Sequence, residues 1–300
     1  MPPFAEEMSD GELSPPFEIV EPAIWRAPII FNSPHSGAIY PAEFLRSARI
    51  DLATLRRSED SFMDELIGPL SDHGFPVVRV NFPRAYVDVN REPYELDPRM
   101  FIGRLPSFAN TRSMRVAGGL GTIPRVVGDG QEIYRERLPV DDALMRIETL
   151  YKPYHRALRR LINGAHQMFG TVVVVDCHSM PSIGISRDEP KRPDVVIGDR
   201  YGTSCAALLP DIIEETMTRR GYSTGRNKPY AGGFITEHYG NPASGLHVIQ
   251  LELNRAIYME ERSRVRRPEF HRITGDFATL AHALADIPLG DLGPFQAAAE

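Results

Sequence analysis

Two histidines each follow an apolar stretch of strand-forming residues. His35 lies in the segment NSPHSG, which follows the apolar residues 29–31. His178 lies in DCHS, which follows the apolar residues 171–175. Because α/β proteins bind ligands beyond the carboxyl ends of their strands, we expect both imidazoles in one cleft. Two histidines and a carboxylate, with an open position for water, are typical of catalytic zinc sites in hydrolases. The alternative for each histidine alone is a structural role.

The remaining parts of such a metal site are only partly indicated by residue type. Asp176 lies two residues before His178, so both side chains fall on one side of an extended chain, and Asp176 is the expected acceptor for the imidazole. For the third ligand, RSEDSFMDEL offers Glu59, Asp60 and Asp64. We expect Asp60 and Asp64 to share one helix face. The alternative is a solvated acidic face.

A carboxylate stands inside the apolar segment LHVIQLELN. Strand alternation places Gln250 and Glu252 on one face and Ile249 and Leu251 on the other. Burying a carboxylate costs free energy, so Glu252 is a candidate general base. The alternative is an acid paired with an arginine.

The segment FPRAYVDVNREPYELDP carries Arg84, Asp88, Asn90 and Arg91. Arginine binds carboxylates in a bidentate geometry, so two guanidinium groups and an amide suit a substrate that carries a carboxylate. One of the arginines could also stabilise the oxyanion that forms during attack on an amide. The alternative is ordinary Arg–Asp pairing in a surface loop.

The two cysteines, Cys177 and Cys205, do not require a disulfide framework, which favours a reducing compartment such as the cytoplasm. Cys177 could be a nucleophile beside His178. Because neighbouring residues on a strand point to opposite faces, we expect it to be a small packed residue instead.

Composition excludes several classes of partner. The 300-residue chain is 42% hydrophobic and has a formal net charge of −6, which argues against a nucleic-acid-binding surface. It contains no run of 18 or more apolar residues, so no membrane span is expected. The N-terminal segment lacks the basic and apolar regions of a signal peptide. These features favour a small-molecule substrate.

Strand patterns alternate with helical patterns along the chain. We predict strands over 29–31, 75–82, 171–175, 194–199 and 246–254. We predict helices over 51–74, 139–170, 203–221 and 268–286, the first ending at Gly74 and the second kinked or divided at Pro153. The irregular stretch 83–138 and the glycine-rich stretch 224–242 are predicted loops. The pattern predicts an α/β fold with helices on both faces of a central sheet. We expect one domain over 17–290, with tails over 1–16 and 291–300.

Ten segments, taken in order, resemble the motifs of the N-formylglutamate amidohydrolase family and span about residues 26 to 260. They are NSPHSGAIYP, EDSFMDEL, YVDVNRE, GGLGTIPRV, IYRERLP, YKPYHRAL, VVVDCHSMPS, VIGDRYGTSC, GGFITEHYGNP and HVIQLELNRAIYM. The resemblance implies an α/β three-layer sandwich around a central mixed sheet, similar to zinc carboxypeptidases and aspartoacylases. It also implies zinc-dependent hydrolysis of the N-acyl amide of an acidic amino acid such as N-formyl-L-glutamate.

The same resemblance implies roles for individual residues. His35 and His178 would bind the metal, and Glu252 would be the general base. The carboxypeptidase pattern has a glutamate three residues after its first histidine, where this chain has Ala38. The third ligand is therefore expected to be Asp60, with Glu59 as the alternative.

On the substrate side, Arg84 would polarise the scissile carbonyl, while Asn90 and Arg91 would hold a carboxylate, as in the similar DLNR segment of aspartoacylases. Four residues of the glycine-rich stretch would line the pocket: Gly232, Gly233, Thr236 and His238. Another divalent metal could replace zinc. Three alternatives stay open: an amidase or carboxypeptidase for another N-acyl amino acid or small peptide, a non-catalytic carboxylate-binding relative, and structural zinc. The oligomeric state is also open.

Overall fold

The computed structural model describes residues 13–128, 130–182 and 192–294, which form two compact units. The first unit comprises Met1–Glu18, Pro34–Ser61 and Arg79–Leu158, and the second comprises Ile19–Ser33, Phe62–Val78 and Arg159–Glu300. The chain passes between the units several times, so neither unit is a continuous segment. A single domain over 17–290 stays a prediction.

Thirteen strands occur in the described residues. They are β1 (Phe17–Val20), β2 (Ile29–Ser33), β3 (Val77–Val80), β4 (Phe101–Ile102), β5 (Val126–Val127), β6 (Gln131–Glu132), β7 (Leu138–Pro139), β8 (Val172–Met180), β9 (Val195–Gly198), β10 (Thr224–Arg226), β11 (Leu246–Asn254), β12 (Met259–Glu260) and β13 (Val265–Arg266). The predicted strands at 29–31, 75–82, 194–199 and 246–254 correspond to β2, β3, β9 and β11.

Nine α-helices occur in the same part of the chain. They are α1 (Ala42–Ser47), α2 (Leu52–Leu55), α3 (Met63–Ile67), α4 (Met114–Ala117), α5 (Val140–Arg146), α6 (Lys152–Phe169), α7 (Leu208–Arg219), α8 (Phe234–Tyr239) and α9 (Phe270–Ala285). The predicted final helix, 268–286, agrees closely with α9. The predicted helix 203–221 begins later than expected, at Leu208. The predicted loop 224–242 contains β10 and α8.

A mixed sheet of seven strands has the order β1-β3-β2-β8-β11-β9-β10, and every strand contributes residues to the second unit. Strands β2, β8 and β11 run parallel to one another. Strand β9 is antiparallel to β11 and parallel to β10. The predicted α/β class with a mixed sheet is confirmed. Its three-layer arrangement stays a prediction.

One face of this sheet buries the hydrophobic core of the second unit. Ile249, Leu251 and Leu253 on β11 belong to the same buried cluster as Val173 and Val175 on β8. Helices α3, α7 and α9 add apolar side chains to that cluster, and α9 contacts both α3 and α7. Because side chains alternate along a strand, the residues between these positions point to the opposite face of the sheet.

The prediction that an apolar strand ends at Val175 is wrong. Strand β8 continues to Met180, and all nine of its residues are buried. It continues because β11 pairs with it over the full length, from Leu246 beside Val172 to Asn254 beside Met180. His178 therefore lies within a strand, whereas His35 follows the end of β2 as predicted.

The prediction of one helix over 51–74 is also wrong. Helix α2 is followed by the 3-10 turn Arg56–Ser58, and α3 by the 3-10 segment Gly68–His73. Between them the chain is extended at Glu59, and Phe62 has a left-handed backbone with φ of 66°. Asp60 lies in this interruption, so it does not share a helix face with Asp64. Gly74 does end the segment, with φ of 89°.

The segment 139–170 is helical and is divided as its proline predicts. A π-helical turn, Ile147–Tyr151, joins α5 to α6 immediately before Pro153. Proline lacks a backbone N–H and crowds the carbonyl four residues earlier, which accounts for the wider turn. Over 83–138 the structure has only short elements, as predicted.

The predicted tails fall largely outside the described residues. The end of the first tail contacts the fold, because Pro16 accepts a hydrogen bond from the amide of Asn81. At the other terminus the carbonyl of Leu292 accepts hydrogen bonds from Thr171 and His247.

Candidate active site

In the first unit, His35 is held by a buried carboxylate. Its Nε2 atom lies 2.8 Å from Oδ1 of Asp88, and both side chains are almost fully buried. The loop behind His35 is fixed by Gly37, where a Cβ atom would lie only 2.1 Å from the carbonyl oxygen of Phe82. Donation from Nε2 to Asp88 leaves Nδ1 as the ring nitrogen that could bind a metal.

Asp88 also contacts three groups of its own loop. The amide of Asn90 donates to Oδ1 over 2.9 Å, and Arg84 donates to Oδ2 over 2.9 Å. Arg91 lies 3.3 Å from the same Oδ2 atom. Burial by itself raises the pKa of Asp88, but Arg84, Arg91 and His35 lower it further than burial raises it, to well below its usual value. Asp88 is therefore a charged anchor.

Asp60 approaches the other ring nitrogen of His35. Its Oδ2 atom lies 3.5 Å from Nδ1, and its backbone amide donates to the carbonyl of His35 over 3.0 Å. Glu59, the alternative third ligand, accepts hydrogen bonds from Arg56, Ser61 and Tyr40. These contacts favour Asp60 as the ligand.

Arg91 is built into its own loop. Its Nε atom donates to the carbonyl of Leu120 and its Nη1 atom to the carbonyl of Asn90, each over 2.7 Å. Burial lowers its pKa to about 10, although the charge of Asp88 opposes that shift. Arg84 is more accessible, with 25% of its side chain exposed. Arg–Asp pairing, the alternative to substrate binding, does occur here, but around a buried aspartate and not at the surface.

In the second unit, His178 has the partner that the sequence predicts. Its Nε2 atom lies 2.9 Å from Oδ2 of Asp176, two residues earlier on β8. The other oxygen of Asp176 accepts from Asn32 on β2 over 2.7 Å, and all three side chains are buried. The arrangement leaves Nδ1 of His178 as the ring nitrogen for a ligand bond, as for His35.

Glu252 lies beside His178 in the parallel register of β8 and β11. Its Oε1 atom accepts from Nε2 of Gln250 over 2.8 Å. Gln250 in turn accepts from the amide of Gly233 over 2.9 Å. The predicted base and a glycine of the predicted pocket are thus connected through one glutamine.

The glycine-rich segment turns sharply before α8. Gly232 has φ of 123°, and a Cβ atom there would lie 2.5 Å from Oγ1 of Thr236. Thr236 is buried and donates to the carbonyl of Gly233 over 2.7 Å. His238 differs, because it is exposed, stacks on Phe234 and contacts Arg159.

Cys177 is a packed residue, as expected. Its side chain is fully buried in the hydrophobic cluster on the face of β8 opposite His178. Burial, followed by the charge of Asp176, raises the pKa of its thiol well above the usual value. A nucleophilic role is disfavoured because the thiolate is the reactive form.

Among the described residues, His35 and Asp60 in the first unit and His178 in the second are buried, and each offers a ligand atom of a kind that binds metal ions. Two imidazoles and a carboxylate are the donor set of many catalytic zinc sites, and they also suit other divalent metals. Both imidazoles have a carboxylate at Nε2, which is the usual support of a metal-bound histidine. The residues fit a divalent metal, whose identity the donor set does not decide.

Three supporting residues have roles that the sequence does not indicate by itself. In the sequence, Asp88 stands out only as one end of an Arg–Asp pair, and Asn32 only as a turn residue after a strand. Strand alternation puts Gln250 on the same face as Glu252 but gives it no function. Period-two alternation could have identified Gln250, but nothing local connects Asn32 with Asp176, which lies 144 residues away.

A model of the N-formylglutamate amidohydrolase family matches residues 27–259 of this chain. The chain belongs to that family. The prediction from the ordered motifs is confirmed, as is the prediction of a hydrolase that acts on an amide.

Relatives within the family match most of this chain over most of their own length. An N-formylglutamate deformylase of Pseudomonas putida is 30% identical over 239 residues, which cover 79% of this chain and 83% of the relative. An N-formylglutamate deformylase of Pseudomonas aeruginosa PAO1 is 29% identical over 242 residues, covering 79% and 84%.

Two solved structures resemble this fold. The crystal structure of N-formylglutamate amidohydrolase from Ralstonia eutropha JMP134 has a TM-score of 0.84 and 34% identity, covering 90% of this chain and 97% of that chain. The gene product Atu2144 from Agrobacterium tumefaciens has a TM-score of 0.59 and 19% identity, covering 90% and 94%, and supports the fold alone. Among the described helices, none is long and apolar enough to cross a membrane.

Proposed function

We propose that this chain hydrolyses the amide of an N-acylated acidic amino acid, with N-formyl-L-glutamate as the first candidate and formate and glutamate as products. The observation that carries the proposal is the pair of buried carboxylate–imidazole contacts, Asp88 with His35 and Asp176 with His178. Family membership supports the choice of substrate, because two relatives are named N-formylglutamate deformylase. A three-layer, carboxypeptidase-like arrangement belongs to the same proposal.

The metal in this proposal is a divalent ion, zinc first, held by His35, Asp60 and His178. Bound zinc supplies a lowered pKa for water and polarisation of a carbonyl oxygen. Asp88 and Asp176 each fix one imidazole so that its Nδ1 lone pair is available for the ligand bond.

Glu252 is the proposed general base. It takes a proton from the attacking water as the new C–O bond forms at the formyl carbon. It then gives that proton to the amine nitrogen as the C–N bond breaks, which leaves formate and the free amino acid. Gln250 supports this role, because its hydrogen bond holds the carboxylate of Glu252 in one orientation.

Arg84 is the proposed donor to the oxyanion. Asp88 anchors its guanidinium group by one Nη atom, and a quarter of the side chain is exposed. A positioned cation in a partly dry site stabilises developing negative charge more than water does.

The substrate carboxylates need their own partners. We propose Asn90 and Arg91 for one carboxylate. The pocket walls would come from Gly232, Gly233, Thr236 and His238. Family resemblance supports these roles. Arg91 donates hydrogen bonds from Nε and Nη1 to backbone carbonyls, and these bonds fix the plane of its guanidinium group. The remaining N–H groups therefore point in fixed directions, which supports a defined orientation for a bound carboxylate.

The alternative within enzymes is a metal amidase or carboxypeptidase for another N-acyl amino acid or a small peptide. A panel of N-formyl, N-acetyl and dipeptide substrates separates the two. A non-catalytic carboxylate-binding relative is less favoured, because a binding protein has no need of a buried glutamate beside a histidine.

The experiment that tests the proposal is formate release from N-formyl-L-glutamate by zinc-loaded protein, beside a chelator-treated sample. We expect rapid release that the chelator abolishes and added zinc restores. If the protein hydrolyses another N-acyl amino acid and not N-formyl-L-glutamate, that compound becomes the proposed substrate. No turnover of any panel member by folded, zinc-containing protein would overturn the proposal.

A further inference from the structure

An arginine-lined cavity lies in the first unit among residues that the proposed mechanism does not use. Its volume is about 150 Å³, and nine residues line it. Five of them are arginines: Arg49, Arg99, Arg125, Arg135 and Arg137. We propose that this cavity is a binding site for a compact anion with two or more negative charges. This goes beyond the proposed function and does not depend on it.

Acidic residues of the cavity do not balance its arginines. The lining contains two glutamates, Glu132 and Glu136, so the formal excess is three positive charges. Asp97 adjoins the cavity and lowers the excess to two. The whole chain has a net charge of −6, so this positive cluster is local. Clefts lined by one sign of charge concentrate the field and attract ions of opposite sign.

Two arginines of the cavity have no carboxylate partner among the described residues. Arg135 donates from Nε to the carbonyl of Ala48, and no ion pair is found for it. Arg137 has neither an ion pair nor a hydrogen bond from its side chain in the described ranges. Guanidinium groups bind phosphate and carboxylate oxygens in pairs of parallel hydrogen bonds, so these two side chains are suited to a ligand.

The other three arginines are held by carboxylates. Glu132 bridges Arg49 and Arg125 over 3.0 and 3.1 Å. Asp97 binds Arg125 over 2.9 Å and Arg99 over 2.7 Å. Because these contacts already restrict the three arginine side chains, a bound anion would remove less side-chain entropy.

The backbone of the cavity wall is fixed as well. The amide of Arg49 donates to the carbonyl of Ile133, and the amide of Arg135 donates to the carbonyl of Ser47. Tyr134, which is buried in the lining, accepts a hydrogen bond from Arg146 over 2.8 Å. An anion would therefore meet a preformed wall.

Size restricts the ligand to a small molecule. A protein cavity of roughly 150 Å³ accommodates a ligand the size of benzene. Inorganic pyrophosphate and citrate are compact anions that could occupy such a cavity and extend into its open side. They represent the two sources of the required charge, phosphate and carboxylate.

The test is calorimetric titration of the full chain with pyrophosphate and, separately, with citrate, at low ionic strength because exposed charges are screened by salt. We expect saturable binding of at least one of them. Binding of pyrophosphate alone would assign a phosphate ligand, and binding of citrate alone a carboxylate ligand. Failure of both to bind saturably would overturn the proposal.

Variants locate the binding. We expect Arg137→Ala to weaken binding about fivefold, the loss of one exposed charge contact. Glu136→Gln should strengthen it, because it removes a negative charge from the lining. The control is Arg219→Ala, an exposed arginine on α7 that should leave binding unchanged. Equal affinity in wild type, Arg137→Ala and Glu136→Gln would place any binding elsewhere and overturn the proposal.

Discussion

Nε2 of His178 lies 2.9 Å from Oδ2 of Asp176, and one strand carries both residues. In the first unit, Nε2 of His35 has the same relationship with Asp88, although 53 residues separate the two. The same chemical support for an imidazole is therefore built once by strand alternation and once by a distant loop.

Replacing either supporting aspartate should weaken metal binding. For Asp176→Asn and Asp88→Asn we expect a loss of roughly 10- to 100-fold in zinc affinity, because the imidazole loses its charged acceptor. Competition with a chromophoric chelator measures this affinity. Asp194→Asn is the matched control, since Asp194 pairs with Ser223. Unchanged affinity in both folded variants would contradict the assigned role.

Glu252→Gln should separate metal binding from turnover. We expect zinc content to stay at the wild-type level while kcat falls roughly 100- to 10,000-fold, because an amide cannot accept the proton of water. Formate release and metal analysis on the same sample measure the two quantities. Glu237→Gln, an exposed glutamate on α8, is the control. A near wild-type rate would show that Glu252 is not the base.

Gln250→Leu tests whether Glu252 must be oriented. Leucine removes both the donor to Glu252 and the acceptor for Gly233. We expect kcat to fall about tenfold or more with zinc retained, since a misplaced base transfers protons poorly. Gln250→Glu keeps an oxygen that accepts from Gly233 but loses the amide N–H that donates to Glu252. We therefore expect it to recover little of the lost kcat. Full activity of the leucine variant would make Gln250 a purely structural residue.

The cysteines should be unreactive in the folded protein. Cys177 and Cys205 are buried, and burial raises the pKa of Cys205 to about 12. We expect no reaction with a thiol reagent until denaturant is added, and then two thiols per chain. The Cys177→Ala variant should turn over substrate at the wild-type rate. Loss of activity in that variant, with normal folding, would revive the cysteine-nucleophile hypothesis.

Asp97→Asn should destabilise the protein in a pH-dependent manner. Burial raises the pKa of Asp97, but hydrogen bonds from Arg99 and Arg125 outweigh it, and the net pKa is lowered. A lowered carboxyl pKa contributes stability above the unfolded-state pKa of about 3.9, and this stability is lost as pH falls through the folded-state pKa. In urea unfolding at pH 7 we expect the variant to be less stable by roughly 1–3 kcal/mol. The difference should narrow below about pH 4. A constant difference at all pH values would contradict this account.

Local patterns in the sequence identified strands β2, β3, β9 and β11, the start of β8, the final helix, the division before Pro153 and the pairing of Asp176 with His178. Each of these depends on residues within one or two turns or along one strand, where periodicity acts directly. The family followed from the order of many short motifs over most of the chain.

Only the tertiary structure decided the length of β8 and the break between α2 and α3. Polar residues ended the predicted strand at Val175, but pairing with β11 and the contact of Asn32 with Asp176 satisfy them inside the sheet. The apolar spacing of 51–74 favoured a helix, but at Glu59 the chain leaves the helical path, and the backbone amide of Asp60 then donates to the carbonyl of His35. Both outcomes depend on contacts with residues far away in sequence. The free energy of these contacts exceeds the weak local preferences for helix or strand on which a sequence pattern relies.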